Sequence, residues 1–237
     1  MKRSTLGLAA LALLASTAAR AVTTYDIVET FYEDMTQPKN SIFQGSFSYD
    51  SVTHEVSNLQ GQLSESMTGT TAANMNWLTL SNQLVWWHDG SLGGTFAAVF
   101  KNNNKNTFSN FASGATDFWS PQVGVAAQGL YYGFPFPSAN PGNAYALIFV
   151  PDNPTAALTQ AQLDKLAYAD CAPGGMMGAA CMTGTSLAGY GAIGTMDGVP
   201  LSQTITAAAV PEPESCALML AGLGLLGGLA HRRSRGG

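Results

Sequence analysis

Ser41-Ile42-Phe43-Gln44-Gly45-Ser46-Phe47-Ser48-Tyr49-Asp50 sets Phe43, Phe47 and Tyr49 at one parity. A strand satisfies that period of two and a helix does not. The alternation returns in residues 52–56 and 59–63, and Asp50-Ser51 offers a turn before them, so a hairpin is expected. Further strand candidates are residues 25–32, 76–87, 95–101, 107–119, 129–134, 144–150 and 199–206. Turn-rich joints such as Lys101-Asn102-Asn103-Asn104-Lys105-Asn106 and residues 135–142 separate them. Many short strands joined by turns predict a mainly β domain, an antiparallel sandwich or a barrel-like core. No repeat of fixed period is visible, which argues against a solenoid or propeller.

One short helix is signalled. Thr159 with Gln162 makes a capping box, and Leu158 with Leu163 has the spacing of a hydrophobic staple. Leu163, Leu166 and Ala167 continue as an apolar stripe, so the helix is expected to end near Asp170. Pro151 and Pro154 mark the loop before it, and its expected role is to cover an open sheet edge or face.

The two ends read as addresses. Lys2-Arg3, an apolar stretch over residues 6–15 and Ala19-Arg20-Ala21 have the order of a secretory signal peptide, so residues 1–21 are expected to be removed on export. Near the other end stands Val210-Pro211-Glu212-Pro213, whose two prolines fix φ and remove two backbone donors. An apolar run over residues 217–230 follows, then Arg232, Arg233 and Arg235. Fourteen residues give a helix of roughly 21 Å against a hydrocarbon core of about 30 Å, and Gly222, Gly224, Gly227 and Gly228 weaken it further. A marginal span suits a segment that is cleaved off; a plain single-span anchor is the alternative. The arginines place the C-terminus in the cytoplasm.

Together these residues resemble the C-terminal sorting signal of exosortase substrates, the PEP-CTERM proteins of Gram-negative bacteria. Pro211, Glu212 and Pro213 correspond to the recognition triplet with Val210 before it, the Leu/Gly-rich run to the helix, and Arg232, Arg233 and Arg235 to the basic terminus. Cys216 departs from the aromatic or small residue expected at its position. The resemblance covers residues 210–237. It implies an exosortase-like membrane processing enzyme as partner, transient anchoring in the inner membrane through the C-terminal helix, and release to the cell surface or medium. It implies nothing about the chemistry of residues 22–209, read here as one exported domain.

That domain keeps four lysines, Lys39, Lys101, Lys105 and Lys165, against thirteen acidic residues, a formal charge of −9, and has no arginine. Arginine is the preferred phosphate binder and a basic face is the footprint of nucleic-acid binding, so nucleic acid is excluded as a partner. Cys171 and Cys181 enclose a Gly- and Met-rich loop. In an oxidising compartment a disulfide is the expected state, free thiols or half of a metal site being the alternatives.

No catalytic residue, cofactor or metal ligand is assigned. His54 and His88 are the domain's histidines, with no H-E-x-x-H and no G-x-S-x-G. Trp87-His88-Asp89 sets a base beside a carboxylate with Ser91 close by, but neighbours on a strand face opposite ways and a turn is the simpler reading. Gly189-Tyr190-Gly191-Ala192-Ile193-Gly194 matches a dinucleotide-loop pattern, yet Asp197-Gly198-Val199-Pro200 cannot be the helix it needs. Glu29, Glu33, Glu55 and Glu65 could supply a glycosidase pair, and solvated strand faces are the default for them. Trp86 with Trp87 and Tyr131 with Tyr132 are adjacent pairs, so one member of each points away from its partner; these four are the candidate carbohydrate contacts, with burial the simpler outcome. The leading expectation is a non-catalytic surface or exopolysaccharide-matrix protein of the biofilm type. A secreted glycosidase or esterase is the alternative, with a carbohydrate-binding module between them.

Overall fold

The strand expected over residues 25–32 is β1 (Val22–Tyr32), which buries Ile27, Glu29 and Phe31 on one face. The computed structural model describes residues 22–110, 120–122, 124–125, 128–132, 142–171, 181–194, 196–208 and Gly222. The chain divides into two units, Met1–Ala207 and Ala208–Gly237. Residues 1–21 and nearly all of the second unit, including Cys216, lie outside the described residues.

β2 (Ser41–Asp50) and β3 (Glu55–Glu65) form the expected hairpin. Its turn is shaped by Asp50, whose Oδ1 accepts from the N–H of Val52 at 2.8 Å and of Thr53 at 3.1 Å, the local bonding that makes Asp a turn residue. β4 (Asn76–Leu80) and β5 (Asn82–Asp89) fall where a single strand was expected. Ser81 breaks that run, and its two halves lie at opposite ends of one sheet. The remaining strands are β6 (Gly94–Phe100), β7 (Phe108–Asn110), β8 (Gln128–Tyr132), β9 (Ala144–Pro151), β10 (Ala167–Asp170), β11 (Met182–Thr185), β12 (Ile193–Gly194) and β13 (Met196–Ala207). Ten form a sheet in the order β4-β3-β2-β1-β13-β11-β10-β9-β6-β5, and β12-β8-β7 form a smaller one. The large sheet curls until its ends meet at Ser81, giving a nearly closed, barrel-like shape.

The pairing is mostly antiparallel, as expected, with two exceptions: β11 runs parallel to β13, and β12 parallel to β8. Sequence alternation does not report strand direction, and here the chain leaving β11 enters the small sheet at β12 before it reaches β13. Pro200 sits where the β1–β13 register shifts between Thr30 and Phe31, a bulge position at which a missing N–H is tolerated.

Every residue of β6 and β9 is buried, so both faces of these strands are covered, and they read as apolar runs rather than alternations. On one face Phe96 pairs with Phe149 and Phe100 with Tyr145, and Trp87, Tyr190 and Phe108 pack against them. On the other, Tyr168 meets Phe31 edge-on at 4.8 Å. Gly184 lies beneath both rings, where a Cβ would strike them.

The helix is corrected. Its capping box is present, with the Thr159 Oγ1 accepting from Gln162 N–H and the Gln162 Oε1 accepting from Thr159 N–H. Leu158 and Leu163 are partly buried and pack against the core. Yet α1 spans only Gln160–Leu163, and the stretch read as its second half is β10. Ala167–Asp170 is buried throughout and pairs with β9 and β11, so two ladders outweigh the few hydrogen bonds of a longer helix. Just after β10, Cys171 and Cys181 form the expected disulfide, their Cα atoms 4.4 Å apart. Closing so short a loop contributes about 2–3 kcal/mol by loop-closure reasoning.

Among the described residues no helix is long and apolar enough to cross a membrane; the 217–230 run lies outside them.

Candidate functional site

Three side chains distant in sequence converge beside the β2–β3 turn. His54 closes that turn with φ +57°, a conformation uncommon for a residue with a Cβ. His88 lies near the end of β5 opposite Thr95 of β6. Asp152 follows directly on β9, and its N–H donates to the Gly93 carbonyl at 3.0 Å. Gly93 has φ +67°, which lets the β5–β6 turn reverse tightly enough to receive Asp152. The Asp152 Oδ1 lies 3.1 Å from His54 Nδ1 and 3.9 Å from His88 Nδ1. The imidazoles stack with centroids 4.4 Å apart, and one donor atom from each of the three residues falls within 4.8 Å of the others.

A second set of groups fixes the rings. The Tyr49 hydroxyl is 2.9 Å from His54 Nδ1, and the Thr95 hydroxyl is 3.2 Å from His88 Nδ1. Thr95 also donates to the His54 carbonyl at 2.7 Å, so one buried threonine ties both histidines to β6. Burial, reinforced by the nearby Asp152 charge, pushes the Tyr49 phenol up to about 12. Asp89, read as a partner for His88, is occupied elsewhere. Its Oδ1 accepts from Ser91 Oγ at 2.6 Å and from the N–H of Ser91 and Leu92. These bonds, the Ser91 hydroxyl first, hold its carboxyl below the ordinary value. Asp89 ends β5 and shapes the turn after it, while His88 stays within the strand.

A groove of about 620 Å³ runs between β3 and β5, lined by residues including Asn58, Gln60, Ser81, Gln83, Glu55 and Trp86. The adjacent tryptophans part as strand geometry requires. Trp87 stacks on Phe96 at 4.9 Å and touches Tyr190, whereas Trp86 is 43% exposed and lines the groove. Tyr131 and Tyr132 lie on β8, but their side chains are outside the described residues.

The acidic residues depart from the solvated faces expected of them. Glu29, Glu33 and Glu65 are buried; Glu55 alone of the four is exposed. Both oxygens of Glu29 are buried without a hydrogen-bond partner, and burial drives its carboxyl well above the ordinary range. Charged residues are normally the least buried, and that expectation outweighed the parity Glu29 shares with Ile27 and Phe31 in β1.

His54 and His88 were visible in the sequence as the domain's histidines, but nothing there joined them to Asp152. The three lie in separate loops and strand ends, and only closure of the sheet brings them together. The glycine-rich Gly189–Gly194 stretch leads into β12 and then β13, so it precedes strands and not a phosphate-binding helix.

Residues 209–234 match the PEP-CTERM protein-sorting motif. That motif implies export and exosortase-mediated, membrane-associated sorting. No curated protein and no solved structure matches the chain.

Proposed function

We propose that the β-rich domain, residues 22–209, serves a non-catalytic binding role at the cell surface or in an exopolysaccharide matrix, and that it meets polysaccharide through the groove between β3 and β5. On this reading residues 1–21 direct export. Residues 210–237 then hold the precursor in the inner membrane until an exosortase-like enzyme releases it.

Trp86 carries the proposal. A half-exposed indole beside the amides of Asn58 and Gln60 offers a flat apolar face with hydrogen-bonding groups around it. Sugar rings present the matching combination of C–H faces and peripheral hydroxyls. Glu55 is the carboxylate on the groove wall, and a glycosidase would need a second one set against it.

Affinity electrophoresis of the purified chain through gels containing a panel of polysaccharides tests the reading. Retention by at least one of them, weakened at least tenfold in Trp86→Ala with the melting temperature unchanged, is the expected result. Trp87→Ala should lower the melting temperature, because it removes a ring from the packed stack. Equal retention of wild type and Trp86→Ala, or turnover of any panel member, would overturn the proposal.

A further inference from the structure

We infer that His54, His88 and Asp152 bind a divalent transition-metal ion. The inference does not rest on the polysaccharide reading, since none of the three lines the groove.

The donor set selects the ion. Two imidazoles and one carboxylate suit zinc, copper(II) or nickel(II), whereas calcium and magnesium prefer oxygen ligands throughout. The spacing suits it as well. Ligand bonds of about 2.0–2.2 Å in a tetrahedral site put donor atoms roughly 3.4 Å apart. The Nδ1–Oδ1 separations of 3.1 and 3.9 Å lie on either side of that value.

The surroundings favour a cation. Among the described residues no lysine or arginine lies within ion-pair distance of Asp152; its partners are the two histidines. Two imidazoles stacked at 4.4 Å on one carboxylate form a donor-rich pocket, and an ion bound among them would bring together groups that otherwise compete for a single carboxylate. The Tyr49 and Thr95 hydroxyls lie on the same Nδ1 atoms that face Asp152, so a metal taking those nitrogens would displace the two hydrogen bonds. His54 keeps its uncommon positive φ in a turn already organised by Asp50, and such outliers concentrate at functional sites. Three protein ligands leave at least one position for water or an external ligand, and all three side chains are partly open to solvent.

Titration of the full-length chain with zinc chloride in a calorimeter tests this. The expected result is one zinc per chain with affinity at least tenfold weaker in His88→Ala and in Asp152→Asn. Both positions are partly exposed, and circular dichroism should show their fold retained. His54→Asn, which keeps a residue tolerant of positive φ, should lose affinity similarly. Cobalt(II) should give a visible d–d band with wild type that the variants lack. Cys216 and His231 stay unchanged throughout, so any binding by the tail is common to every variant. No zinc binding by wild type, wild-type affinity in all three variants, or calcium displacing the zinc at equal concentration would overturn the inference.

Discussion

Glu33 puts a carboxyl where water cannot reach it. The residue is 3% exposed, Tyr168 OH donates to its Oε1, and the backbone at Gly198 leaves no room for a Cβ against it. Burial pushes its carboxyl from 4.5 up to about 7, and Asp197 adds to the rise while Tyr168 and Ser41 oppose it. The folded chain therefore holds a proton that the unfolded chain has already released between these two values, and stability falls as pH rises through that window. The contribution is fully present below about pH 4.5 and gone above about pH 7, a loss of about 3 kcal/mol at most. Glu29 acts in the same direction. Chemical denaturation at pH 5 and pH 8 should show Glu33→Gln losing less stability than wild type across the interval. Equal losses in the two proteins would mean that Glu33 is ionised when folded.

At the scale of elements, the seam of the curled sheet is closed by a side chain. β3 and β5 meet without a backbone ladder, and Gln83 spans the gap. Its Oε1 accepts from Leu59 N–H at 2.8 Å and its Nε2 donates to the Val56 carbonyl at 2.6 Å. Both strands bend there. The β2–β3 register shifts between Ser46 and Ser48, with Asn58 at φ +55°, and the β5–β6 register shifts between Gln83 and Val85. Bulges bend strands and end regular pairing, as a closing sheet needs. Gln203 does the same work on β9, bonding both the N–H and the carbonyl of Phe149. Gln83→Ala should lower stability by about 1–3 kcal/mol, the cost of leaving partly buried backbone groups unpaired. It should also speed amide exchange at Leu59 while distant strands keep their protection. Unchanged exchange at Leu59 would show that the seam holds without the glutamine.

At the scale of the whole molecule, sorting and folding are separate problems carried by separate stretches of chain. The match over residues 209–234 begins just past β13, which ends at Ala207. A processing enzyme can therefore act there without unfolding a strand of the large sheet. Mature protein recovered from the surface should lack residues 217–237 by intact mass. Replacing Pro211 and Glu212 by alanine should leave a membrane-bound precursor. Retention of Arg232, Arg233 and Arg235 on surface protein would instead indicate a permanent anchor.

What the sequence determined by itself was local. Alternation in residues 41–50, the Asp50 turn, the Thr159–Gln162 capping box and the Cys171/Cys181 loop were legible because each depends on neighbours a few positions away. The sorting tail was legible for the same reason, since its recognition by an enzyme is linear. Tertiary structure decided the rest. Ala167 fits a helical stripe equally well until two ladders claim it for β10. Residues 76–87 read as one strand until closure sent β4 and β5 to opposite ends of the sheet. Glu29 and Glu33 read as surface residues by charge, and tertiary packing buries both. His54, His88 and Asp152 carry no shared pattern, because three strand ends meet only when the sheet curls back on itself. Closure depends on contacts between residues far apart in the chain, and no local period records them.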